Sequence, residues 1–183
     1  MDNSTSNNSQ DKDRITNILK IIRMGHPVLT KKAKEIKDPT SKEVAHIVDD
    51  MIATIEDMGD YAGLAAPQVH ISLRIVILTP NGEPPLTVMI NPTWHHISEE
   101  KELGWEGCFS IPDMLGEVPR YRSIKYNYYD LEGKKISKEA HGFHARVVQH
   151  ECDHLDGILY PQRMKDFSRF GFVKEIVKHR ISQ

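Results

Sequence analysis

The sequence predicts an α+β fold: antiparallel and mixed strands packed around a central helix, with one helix towards the N-terminus and one at the C-terminus. Two observations predict it. Apolar residues recur at helical spacing in three places, over residues 44–58, 143–154 and 167–177. The β-branched and alternating runs gather in the middle of the chain, between the first and second of these. That order is not the strand–helix alternation of a parallel α/β sheet.

Length and composition bound the answer further. A chain of 183 residues is long enough to bury a real core as one domain. Its 39% hydrophobic and 27% charged content is ordinary for a soluble globular protein. A formal net charge of −2 excludes wrapping nucleic acid by charge alone. No apolar run approaches the ~18 residues of a membrane span, so no membrane partner is expected. Residues 1–14 are polar, rich in Asn and Ser, and carry Asp2, Asp11 and Asp13. They lack the apolar core of a signal peptide and the acid-poor, Arg-rich pattern of a transit peptide. They are expected to be a disordered tail on a cytoplasmic protein, with 15–183 as a single folded domain. The two cysteines, Cys108 and Cys152, make no disulfide framework. In a reducing compartment a cysteine near histidines is a candidate ligand or nucleophile.

The elements follow in order. Residues 15–36 hold a short apolar segment and a turn at Gly25-His26-Pro27. Thr40 and Glu43 have the spacing of a capping box. Val44, Ile47, Val48, Met51, Ile52, Ile55 and Met58 then form a core-facing stripe that Gly59 ends. Strands are predicted at 74–79 and 86–90, joined by a turn at 81–85, and a third leads into residues 104–110. A strand over 118–129, a turn at 131–133 and a return at 134–140 come next. A helix over 142–155 and a last amphipathic helix over 164–180 complete the chain. The apolar face of the last one would hold Phe167, Phe170, Phe172, Val173, Ile176 and Val177.

The chemistry centres on His150-Glu151-Cys152-Asp153-His154. At about 100° per residue, His150 and His154 stand one turn apart on one helix face and can share a metal ion. Glu151 lies beside such an ion as a carboxylate able to take a proton from water. Cys152 points about 200° away from His150 and is expected to be a small buried residue. Asp153 is either an acceptor that orients a ligand histidine or a helix-surface residue. His95, His96, His141 and His144 have no partner at ligand spacing and are expected on the surface or in the core.

Two histidines do not close a catalytic site, which takes three protein ligands and one open position. A histidine at H-E-x-x-H-x-x-G-x-x-H would serve, but that position is Tyr160. Glu175, 21 positions beyond His154 (175 − 154), has the spacing of a thermolysin-like third ligand. Cys108, in Glu106-Gly107-Cys108-Phe109-Ser110, is the other candidate. The residues alone leave both open.

Three stretches together resemble the three motifs of peptide deformylases, in the family's order and spacing. They are Gly63-Leu64-Ala65-Ala66-Pro67-Gln68, the Cys108 stretch above, and Gln149-His150-Glu151-Cys152-Asp153-His154-Leu155-Asp156-Gly157. The resemblance covers about residues 19–164. It implies a hydrolase that removes the N-formyl group from nascent peptides beginning with formyl-methionine and releases formate. It implies Cys108, His150 and His154 as ligands of one divalent metal ion, with Fe²⁺ as the native ion. Zinc, nickel and cobalt also suit a thiolate with two imidazoles. Gln68 and the backbone N–H of Phe109 are implied as donors to the reacting oxygen, with Glu151 as base and then acid. The resemblance also suggests that Glu106 pairs with Arg120 to brace the cysteine loop. Ala62, Gly63, Phe143 and Val147 would line a methionine-sized pocket or belong to the core.

Three positions depart from the family's pattern. Tyr61 stands where a glycine is usual, and either narrows the entrance or turns outward. Phe109 stands where leucine follows the cysteine, with its backbone N–H unchanged. Leu115 replaces an arginine that helps hold the substrate backbone. The last segment resembles that of members ending in a helix. From Arg163 to Arg180 it carries six cations, Arg163, Lys165, Arg169, Lys174, Lys178 and Arg180, against Asp166 and Glu175. Such asymmetry suggests a surface for a polyanion, and the resemblance points to the ribosome.

Overall fold

The structure is a computed structural model that describes residues 15–59, 62–79 and 86–181. The tail 1–14, Tyr61 and the turn at 81–85 lie outside the described residues. Helix α1 spans Lys42–Met58. Its N-cap is Ser41, whose hydroxyl accepts from the Val44 N–H. The predicted cap, Thr40, is instead drawn into a turn by Asp38, to which its hydroxyl donates at 2.6 Å.

Seven strands follow in the middle of the chain: β1 Gly63–Ala65, β2 Ile75–Leu78, β3 Thr87–His96, β4 Lys101–Cys108, β5 Ile111–Tyr121, β6 Ser123–Tyr129 and β7 Lys135–His141. Helix α2, Gly142–Leu155, has the predicted bounds. Gly157, just beyond it, has φ +73°, and a Cβ there would meet the Thr30 carbonyl carbon at 2.6 Å. The stop therefore needs glycine for both its backbone angle and its close approach. Strand β8, Phe170–Phe172, and helix α3, Val173–Ile176, which runs on into a π-helical turn Val177–Ile181, end the described chain.

Two expectations are corrected. The alternating run 118–129 is two strands, because at Arg122 the chain leaves one sheet for the other. There the Arg122 N–H goes to Glu100 O, and Arg122 O accepts from Gly142 N–H. The terminal helix starts at Val173, not 164. Residues 170–172 pair with β5 in the register Met114↔Phe172, Leu115↔Gly171, Gly116↔Phe170. Arg169 fixes that docking, with a two-pronged bond to Glu117 at 2.9 and 3.1 Å and its guanidinium over the Trp105 ring. A tertiary strand edge overrides the local helical periodicity.

The strands form a five-stranded sheet, β1-β2-β3-β6-β7, and a three-stranded sheet, β4-β5-β8, with every named pairing antiparallel. Helix α1 covers one face of the larger sheet and α2 the other. Strand β2 shows why all four of its residues are buried. Ile75 and Ile77 join the α1 cluster, and Val76 and Leu78 join the α2 cluster, as a two-residue period requires. Each such side chain stabilises the fold by about 1.5–3 kcal/mol. A third cluster, with Leu29, Ile111, Val118, Leu159, Tyr160 and Met164, backs the smaller sheet.

Helix α2 is the centre. Every residue from Ala145 to Leu155 is buried, including Arg146, Gln149, His150, Glu151, Asp153 and His154. A helix that buries so much polarity holds only if those groups are partnered, since an unsatisfied one costs about 1–3 kcal/mol. Gln149 bridges the Tyr121 N–H and C=O, and Asp153 takes Arg120 and Arg163. Among the described residues, two buried side-chain atoms are left without a partner: Glu151 Oε2 and His154 Nδ1. Both belong to the H-E-x-x-H stretch. Among the described residues no helix is long and apolar enough to cross a membrane.

Candidate metal centre and active site

Four elements meet at one place. Strand β4 delivers Cys108 after a register shift between Glu106 and Cys108, a bulge that re-aims the thiol. Helix α2 delivers His150, Glu151 and His154. Strand β1 brings Gly63, and the 3-10 turn Ala66–Val69 brings Gln68.

Cys108 Sγ and one ring nitrogen each of His150 and His154 lie within 4.8 Å of one another. Among the described residues this is the one group of three such side chains close enough to hold a metal ion. Cys108 Sγ is 3.3 Å from His154 Nε2, and the two imidazoles meet edge to face at 5.0 Å. His150 Nδ1 lies 2.9 Å from Glu106 Oε2, which leaves its Nε2 available as a ligand. A thiolate and two imidazoles fit a catalytic site of three protein ligands. Glu175 takes no part: it is exposed on α3 and lies 3.5 Å from His179.

The electrostatics suit that use. Burial pushes the Cys108 thiol up, but the charge of His154 and the bonds from both histidines carry it well below its ordinary value. Burial pushes His150 down, and its bonds to Cys108 and Glu106 outweigh this and raise it. A dication among these groups would take the place of the imidazolium proton. Glu151 is raised, chiefly by burial, against the pull of His150 and His154.

A pocket of about 650 Å³ opens over the centre. Ala62, Gly63, Gln68, Cys108, Phe109, Phe143, Val147, His150 and Glu151 all line it, and His154 lies beneath. Val147 is both wall and core, whereas Phe143 is 54% exposed at the rim. Gln68 donates weakly to Cys108 Sγ at 3.4 Å, while its Oε1 accepts from the Ala65 N–H at 2.9 Å. Its amide is thereby fixed beside the thiol.

The comparisons with known proteins agree with this geometry. The family model described as polypeptide deformylase matches residues 18–170. The chain belongs to the peptide deformylase family. Over 162 residues it is 46% identical to peptide deformylase 2 of Ralstonia nicotianae, covering 84% of this chain and 91% of that one. The crystal structure of peptide deformylase from Thermotoga maritima superposes with a TM-score of 0.77 at 35% identity, covering 82% of this chain and 99% of that one. A Met-Ala-Ser-bound class I type b peptide deformylase from Acinetobacter baumannii gives 0.76 at 36%, covering 82% and 100%. The protein is accordingly a metal-dependent deformylase, a hydrolase that removes the N-formyl group from nascent peptides.

Around the deformylase centre the structure also corrects the residue expectations. Asp153 is buried, and its carboxylate accepts from Arg120 and Arg163. Glu106 orients His150 instead, and its pairing with Arg120 is bidentate, at 2.9 Å on each oxygen. Burial would raise the Glu106 carboxyl, but its bonds to His150 and Arg120 hold it far below the usual range. Cys152 is buried, and burial pushes its thiol up. His96 stacks on Tyr121, while His141 and His144 bond Ser123 and Tyr126. Leu115 is among the residues that line the pocket.

The sequence reading missed two neighbours of the centre. Tyr160, rejected as a ligand, stacks on His150 with ring centroids 6.1 Å apart. Arg146 reaches Glu106 from the same helix. Its position four residues before His150, on one helix face, was the available signal.

Proposed function

We propose that Cys108, His150 and His154 hold one divalent ion, Fe²⁺ in the native enzyme, and that Glu151 is the general base and acid. The observation that carries this is the buried, partnerless Glu151 Oε2 beside three converging donors. A bound ion would lower the pKa of water towards ~7 and polarise the formyl carbonyl. Glu151 takes the proton of the attacking water and returns it to the leaving amine. Its raised pKa suits a carboxylate that must hold that proton in between. The Gln68 amide and the Phe109 backbone N–H donate to the oxygen that gains charge in the transition state. Ala62, Gly63, Phe143 and Val147 receive the methionine side chain.

N-formyl-methionyl peptides are the substrates, consistent with the Met-Ala-Ser peptide bound in the Acinetobacter relative. The enzyme works in the cytoplasm. Its terminal segment docks on the ribosome through Lys165, Lys174, Lys178 and Arg180, which are exposed. Arg163 and Arg169 are engaged with Asp153 and Glu117, so the usable patch is smaller than the charge count.

Formate release from a formyl-Met tripeptide by anaerobically purified protein, with metal analysis, tests the centre. Cys108→Ala is expected to lose metal and turnover, and Glu175→Ala to keep both. The reverse pattern would overturn the ligand assignment. Charge reversal of Lys174, Lys178 and Arg180 tests docking: unchanged ribosome co-sedimentation at low salt would sink it. Truncation after Phe170 is a poorer test, because it removes part of β8 and the pocket-lining Val173.

A further inference from the structure

His150 is held by more than its direct partner. Glu106 divides its carboxylate: Oε2 lies 2.9 Å from His150 Nδ1, and Oε1 accepts from Arg146 Nη1 at 2.8 Å. Arg146 and His150 are four residues apart on α2, so one helix face grips both oxygens of one strand carboxylate. The same guanidinium reaches three backbone carbonyls. Its Nη1 donates to Val118 O at 2.9 Å and Gly104 O at 3.3 Å, and its Nη2 to Glu102 O at 2.8 Å. Arg146 therefore ties α2 to both β4 and β5, one turn before the histidine. Arg120 holds Glu106 differently, from β5, the strand already paired with β4.

The backbone makes room for this. A Cβ on Gly104 would lie 2.7 Å from Arg146 Cζ and Nη2. Any side chain at residue 104 would push the guanidinium off its acceptors.

We infer that Arg146 is a positioning residue for the metal centre: through Glu106 it fixes the ring orientation of His150 and thereby the tightness of metal binding. The inference rests on the reading of Cys108, His150 and His154 as metal ligands. A direct partner of a ligand histidine, here Glu106, changes metal affinity by about 10–100-fold; Arg146 acts one hydrogen bond further out, so its share is the lower end of that range. A residue serving only to join helix and sheet would lower stability and leave the affinity and ligand field of the folded protein unchanged.

The test uses the cobalt-loaded full chain, with the d–d absorption spectrum and the rate of cobalt loss to excess chelator as readouts, and urea midpoints measured in parallel. Arg146→Met is expected to speed cobalt loss about 10-fold, the lower end of the range for a direct partner of a ligand, and to change the visible spectrum. Arg146→Lys, whose ammonium can meet Glu106 Oε1 but not all the carbonyls, is expected to fall between. Gly104→Ala, which keeps the charge but displaces it, is expected to act in the same direction as Arg146→Met, and decides the matter if that variant does not fold. A wild-type spectrum and release rate in the folded variants, with only the urea midpoint lowered, would overturn the inference. If the wild-type chain itself takes up no cobalt, or Cys108→Ala takes it up normally, the ligand assignment fails instead.

Discussion

Gly63 and Glu151 touch where no side chain would fit: a Cβ on Gly63 would lie 2.7 Å from Glu151 Oε1 and 2.9 Å from its Cγ and Cδ. Strand β1 thus forms a wall against the proposed base, and only the absence of a side chain lets the carboxylate take its place. Gly63→Ala is expected to shift Glu151 while leaving the three metal donors alone. A displacement of about 1 Å costs about 10²-fold in rate. Steady-state kinetics with metal analysis checks it: kcat falls about 100-fold at full metal content. Unchanged kcat would show that Glu151 needs no such placement.

Gln68 is fixed by its Oε1, which accepts from the Ala65 N–H. With that end anchored, its amide N–H group is aimed and needs no reorganisation during the reaction. Gln68→Ala is expected to lower kcat about 10²–10³-fold with KM for formyl-Met peptides little changed. A change confined to KM would make Gln68 a ground-state contact.

The proposed Fe²⁺ on Cys108 would bring oxygen sensitivity, since metal and thiolate can both be oxidised. The iron-loaded enzyme is expected to lose activity in air or peroxide, and the nickel- or cobalt-loaded enzyme to keep it. Equal half-lives in air for the iron and nickel forms would count against iron-linked lability.

Glu106 gives the fold an acid-sensitive element. Its folded carboxyl titrates far below the unfolded value of ~4.3, so the stability it supplies is fully present above that value and is lost as pH falls below it. Glu106→Gln removes the charge paired with Arg146 and leaves Arg120 with Asp153 alone, and is expected to cost about 3–5 kcal/mol at pH 7. The gap between variant and wild type is expected to narrow from about pH 5 downward. Urea midpoints across pH 3–7 measure it. Parallel curves for the two proteins would contradict the linkage.

The sequence made some of this legible and not the rest, for physical reasons. The bounds of α2 could be read because helical periodicity and Gly157 act locally. Strand β8 could not, because the unpaired edge of β5 decides it and not the phenylalanine spacing. The histidine pair could be read from one helix turn. Cys108 needed three motifs together, since 42 positions (150 − 108) separate it from His150 and only the bulge in β4 brings it near. The sequence left Asp153 open between an acceptor for a ligand histidine and a helix-surface residue, and it is neither: it is buried three residues beyond His150 and faces Arg120 and Arg163. Arg146 gave only its place one turn before His150 as a sign, and its contact with Glu106 exists only where sheet and helix meet.

The claim that Glu151 moves the proton while Cys108, His150 and His154 hold the metal is tested most directly by Glu151→Gln, with metal content and formate release measured on one preparation. The account predicts one metal ion per chain, as in the wild-type protein, and turnover lower by about 10²–10⁴-fold. Near-native formate release, or loss of the metal with the carboxylate, would contradict it.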